Sequence, residues 1–127
     1  MNMLLKISAI LAGLCVFLGA FAAHVIEKKL SINMLSTYKT ATYYMQWHTI
    51  GIILTIICQK TKLIKSSKPA WYFLIGIILF SGSLLTYVIT QYKALVYITP
   101  IGGLCFIYGW VAFAFNVKTE TKTNKKG

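Results

Sequence analysis

Acidic residues are nearly missing. Glu27 and Glu120 are the only carboxylate side chains in 127 residues, and arginine is absent, so all 13 basic residues are lysine and the formal charge is +11. Neither carboxylate lies inside an apolar stretch. That excludes paired carboxylates for acid–base chemistry, and it removes the buried acid through which a membrane carrier would couple its substrate to ions. Histidine occurs twice, at His24 and His48. The three cysteines, Cys15, Cys58 and Cys105, form no Cys-x-x-Cys pair and fall within or beside apolar stretches. They read as small apolar residues rather than as a disulfide or a metal site. No catalytic motif stands out, and the chain reads as a non-enzyme with no metal and no cofactor.

What is abundant is apolar surface: hydrophobic residues make up 57% of the chain, and the mean hydropathy is +0.70. They gather into four stretches, each about long enough to cross a bilayer as a helix, the form that bonds every backbone N–H and C=O internally. The expected fold is an all-α membrane protein, an antiparallel four-helix transmembrane bundle over residues 1–117. Residues 118–127 are expected to form a disordered, lysine-rich cytoplasmic tail.

The first helix is expected from about Met3 to Ile26. Lys6, the apolar run and Ala20-Phe21-Ala22 imitate a cleaved secretory signal. The run from Ile7 to Ile26 is long enough to span by itself, so a retained helix is the expectation. A second helix opens at a Ser31 or Asn33 cap and ends near Cys58. Gln59 to Lys68 is a lysine-rich loop, and Pro69 suits the first turn of a third helix covering about Ala70 to Ile89. The fourth covers about Ala94 to Val117, where Pro100, with Gly102 and Gly103, predicts a kinked or loosened helix.

The lysines set the orientation. With four spans, Lys6, the middle loop and the tail share nine lysines on one side, against Lys28, Lys29, Lys39 and Lys93 on the other. Excess positive charge stays in the cytoplasm, so both termini are expected there. Anionic lipid headgroups account for the lysines better than nucleic acid does, since a nucleic-acid groove needs a water-facing surface. Membrane lipids are therefore expected partners and nucleic acid is not.

Polar residues inside the spans are the functional candidates. His24 is expected near the outer boundary and His48 about two turns below it. Thr40, Tyr44 and His48, spaced i, i+4 and i+8, share one face of the second helix, with Gln46 on another. Two readings stay open. The histidines are polar glue between helices, or they form a site for haem b, a proton or a quinone. Both rings are expected to face the interior, because an unpartnered imidazole in hydrocarbon costs a few kcal/mol. Tyr44 and the hydroxyls of helix 3, Ser81 and Ser83 among them, are the nearest expected partners. Close packing is expected at Gly19, Gly82, Pro100, Gly102 and Gly103, with Gly82 against the 100–103 segment. Trp71, Tyr72 and Trp110 are expected in an interfacial belt.

Three sets of residues together carry a resemblance. Gly19-Ala20-Phe21-Ala22-Ala23-His24 closes helix 1. Thr40-Ala41 with Tyr44, Gln46 and His48 opens span 2. Phe80-Ser81-Gly82-Ser83-Leu84 and Ile98-Thr99-Pro100-Ile101-Gly102-Gly103, with Gly109-Trp110, mark helices 3 and 4. The combination resembles the small bacterial inner-membrane family known as domain of unknown function 423, to which the eukaryotic transmembrane protein 256 is similar. One departure is Ala22, where that family usually has glycine. The resemblance implies a compact four-helix protein of the bacterial cytoplasmic membrane and implies no activity. The leading functional expectation is a non-enzymatic accessory or scaffold component of a larger membrane assembly, or of a homo-oligomer. The alternatives are a small transporter or proton conductor using His24 and His48, and a haem-binding redox protein.

Overall fold

The computed structural model describes residues 2–119, which form four helical rods. The first, α1, is Asn2–Phe21, continued by a π-helical turn, Ala22–Ile26, and a last α-turn, Glu27–Lys29. The second, α2, is Ile32–Lys60. The third, α3, begins as Lys68–Gly76, widens into a π-helical turn at Ile77–Ser81 and resumes as Gly82–Thr90. A 3₁₀ turn, Lys93–Tyr97, leads into the fourth, α4, Thr99–Asn116. Three of these rods, α1, α3 and α4 with its 3₁₀ lead-in, are long and apolar enough to cross a membrane.

Local chemistry explains the boundaries. The Ser31 side chain accepts from the Met34 amide at 3.2 Å and so fills one orphan donor at the start of α2. Gln91, in the left-handed region at φ 61°, ends α3. Pro69 sits in the first turn of α3, where its missing N–H has no consequence. Pro100 does the same for α4. The α-helix begins at Thr99, and the stretch before it, expected as part of the same helix, is the 3₁₀ turn Lys93–Tyr97.

Each rod packs on its chain neighbour. α2 and α3 are the inner pair, with α1 against α2 and α4 against α3. Ala41, Thr49, Ile52 and Thr55 on α2 are wholly buried. A main cluster of Leu4, Cys15, Met45, Ile52, Ile56, Ala70, Phe73, Ile77 and Phe106 runs through the layer. A smaller one, Ala22, Tyr38 and Val88, ties the end of α1 to α2 and α3, so the methyl of Ala22 is absorbed in packing. At the other end, Lys65 N–H donates to the Asn116 carbonyl and Lys118 N–H to the Leu63 carbonyl, both at 2.9 Å. The loop after α2 is thus clamped to the end of α4, with Ile64 buried beneath it. Lys118, expected in a free tail, belongs to this clamp; residues 120–127 of that tail lie outside the described residues.

Two packing expectations need correction. A Cβ on Gly82 would meet only Ile77 O of its own rod, at 3.8 Å, and one on Gly19 would meet nothing within 4 Å. The closest approach is instead at Gly102, where a Cβ would lie 2.8 Å from the Leu79 carbonyl carbon and nearer still to the Phe80 amide. Gly76, Phe80 and Ser83 carry the side of α3 that meets α4, and Gly82, one residue before Ser83, lies about 100° around the rod from it.

Candidate functional site

The hydroxyls named in the sequence act as ties between rods. Ser81 donates to the Ala41 carbonyl of α2 at 2.7 Å, in a fully buried bond. The Ser83 and Thr99 hydroxyls lie 2.6 Å apart, joining α3 to the start of α4. Tyr38, which the sequence did not single out, donates to the Leu18 carbonyl of α1 at 2.7 Å. Thr40 is half-buried beside a surface hollow with Lys39 and Tyr43. Gln46 faces the opposite way, lining a hollow with Ala12, Cys15, Val16 and Ile50 against α1.

The two histidines are not brought together. His24 is exposed on the π turn of α1, contrary to the expectation that it faces inward. α1 leans mainly on α2, and much of its circumference, His24 included, meets no other rod. His48 is 6% exposed and lies among rings from three rods. Its imidazole stacks on Phe106 with centroids 3.6 Å apart and planes within 9°. Phe73 lies at 5.5 Å and Trp110 at 5.9 Å, both tilted, while Tyr44 lies at 6.2 Å and nearly parallel.

Both ring nitrogens of His48 are occupied, and their partners fix the tautomer. Nδ1 is 2.7 Å from the Tyr44 carbonyl, which can only accept, so Nδ1 carries the proton. The indole N–H of Trp110 can only donate, and it donates to Nε2 at 3.0 Å. The imidazole is therefore neutral, and its one lone pair is spent on α4. A second proton or a metal at Nε2 would first have to displace Trp110. Sequence reasoning found one end of this bond. It assigned Trp110 to an interfacial belt, although an indole is an obligate donor and His48 is a natural acceptor for it in an apolar rod.

Between α2 and α4, with Phe80 of α3 on its wall, lies a groove of about 630 Å³. Tyr44, His48, Phe106 and Trp110 form its aromatic end, and Pro100, Gly103, Leu104 and Ile107 continue it along α4. A second hollow of about 390 Å³ shares Tyr44, His48 and Trp110 with it and opens toward Tyr43 and Trp47. Thus Pro100 and Gly103, expected to pack helix on helix, line a groove, with Gly103 close to the Phe80 ring. The Tyr44 hydroxyl has no hydrogen-bond partner among the described residues and the side chain is 40% exposed. No three His, Cys, Asp or Glu residues cluster among the described residues.

Comparison with known proteins places this arrangement in context. A family described as "Protein of unknown function (DUF423)" matches residues 18–103. A UPF0382 membrane protein of Staphylococcus aureus is 39% identical over 111 residues, covering 87% of this chain and 91% of its own length. Similar proteins in Haemophilus influenzae and Bacillus subtilis, also called UPF0382 membrane proteins, are 38% identical over 116 and 113 residues. These alignments cover 90% and 87% of this chain, and 92% of each relative. No solved structure matches the chain.

Proposed function

The chain belongs to the DUF423 family, the family of the bacterial UPF0382 membrane proteins, and from that premise we propose a non-enzymatic accessory protein of the bacterial cytoplasmic membrane. It crosses the membrane four times as an antiparallel helical bundle, with both termini in the cytoplasm. Its surface supports immersion in lipid: Val16 is 73% exposed, Leu104 65%, Ile78 and Ile107 61% each, and few residues of α1 and α4 are buried. Water would not tolerate so large an apolar exterior. α2 is less apolar than the rest, yet it is the shielded rod, with His48, Thr49 and Thr55 turned into protein. The clamp between the α2–α3 loop and the end of α4 gathers Lys62, Lys65 and Lys118 at one end, as a shared cytoplasmic face requires.

The observation that carries the accessory role is the open face of α1. Ala9, Gly13, Val16, Ala20 and Ala23 recur every three or four residues and are all exposed, and a Cβ on Gly13 would meet nothing within 4 Å. Such a face admits another helix at close range, where van der Waals contact drives association inside a bilayer. The partner is a transmembrane helix of a larger assembly or of a second copy. The alternatives built on two cooperating histidines gain no support, since His24 is exposed on α1 and Trp110 holds the free lone pair of His48. The test is the size of the species released from native membranes by mild detergent. Wild-type protein should leave as a defined complex. Gly13→Leu with Ala20→Leu should leave as the free chain with unchanged helicity. A free wild-type chain that also fails to crosslink in the membrane from Gly13→Cys would overturn the reading.

A further inference from the structure

The geometry points to the α2–α4 groove as a binding site for a lipid-soluble ring bearing a carbonyl, the chemistry of a quinone with an isoprenoid or alkyl tail. This rests on the membrane placement proposed above, which opens the groove to hydrocarbon rather than to water. Its volume, about 630 Å³, lies within the range of small-molecule sites. The groove exists because the α2 and α4 backbones stand apart and meet only through side chains, chiefly the His48–Phe106 stack. α3 separates them, and the Trp110–His48 bond ties them across the gap.

The two ends of the groove differ in chemistry, and the difference selects the ligand. The aromatic end offers π-faces and edges from Tyr44, Phe80 and Trp110, which favour a flat unsaturated ring over a saturated chain. The polar group there without a partner is the Tyr44 hydroxyl. The His48 nitrogens and the Trp110 N–H are satisfied by each other and by the Tyr44 carbonyl. A phenol O–H in hydrocarbon calls for an acceptor, and a ring carbonyl supplies one. The other end is aliphatic: Leu104 and Ile107, 65% and 61% exposed, with Pro100, make a strip along which a tail can lie. Gly103 leaves the width between them. A Cβ there would just touch the Phe80 ring, at 3.7 Å, so a longer side chain would extend into the groove.

The test uses the full chain in nanodiscs of phosphatidylethanolamine and phosphatidylglycerol, titrated with a decyl-substituted naphthoquinone, with quenching of tryptophan emission as the readout. Saturable quenching is expected. Tyr44→Phe should weaken binding about tenfold, the effect of one hydrogen bond. Gly103→Leu should abolish saturation with circular dichroism unchanged, and decylcyclohexane should not compete. Linear quenching, identical in wild type and both variants, means partition into the bilayer and overturns the site. Displacement by decylcyclohexane overturns selection of the ring, and unchanged affinity in Tyr44→Phe overturns recognition of the carbonyl. Flotation of the protein with vesicles reads the membrane placement separately. A chain that floats and does not bind overturns the groove alone, and one that does not float overturns both.

Discussion

His48 sits among carbon rings with both nitrogens engaged, so a substitution on either side of its bond to Trp110 strands a polar group. Trp110→Phe should destabilise the protein by about 1–3 kcal/mol, the penalty for an unsatisfied buried acceptor. His48→Phe should also destabilise, by leaving the indole N–H alone. The double variant should lose less than the sum of the two, by at least about 0.5 kcal/mol, because both stranded groups disappear together. Reversible unfolding in mixed detergent, followed by circular dichroism, checks this; strict additivity would mean that the bond contributes nothing. The helical spacing of Thr40, Tyr44 and His48 was enough to place them on one face in the sequence. The partner was not legible, because Trp110 lies 62 residues away and reaches His48 only through the docking of α4 on α3.

At the scale of the element, the middle of α3 carries the ties to both neighbours. Ser81 reaches the Ala41 carbonyl, Ser83 reaches Thr99 and the Leu79–Phe80 backbone meets Gly102, while Gly82 meets only its own rod. Gly102→Ala should therefore destabilise more than Gly82→Ala, since the added methyl meets backbone that cannot move without parting α3 from α4. Equal unfolding midpoints for the two would contradict the register described here. Ser81→Ala should cost about 0.6–2 kcal/mol through the lost interhelical bond. Thr86→Ala should cost less, because that hydroxyl is exposed and returns to Gly82 of its own helix. The long apolar runs and their turn residues made the four rods readable in the sequence. Periodicity counts residues at 3.6 per turn, so a π turn displaces every contact after it without leaving a sign in composition.

For the whole molecule, the proposed topology carries α2 across the membrane although it is the least apolar rod. Its His48, Thr49 and Thr55 are buried against the neighbouring rods, so its composition understates how well it fits a bilayer. The number of crossings fixes the side on which each loop lies, and the two candidate counts make opposite predictions. If α1, α2, α3 and α4 all cross, Lys62 after α2 is cytoplasmic and Lys93 before α4 is outside. If α2 lies along the outer surface, Lys62 is outside and Lys93 is cytoplasmic. The measurement is labelling of intact cells with a membrane-impermeant maleimide, using a cysteine-free chain carrying Lys62→Cys or Lys93→Cys. Four crossings predict rapid labelling at position 93 and labelling at position 62 only after the membrane is broken. The reverse pattern would contradict the account.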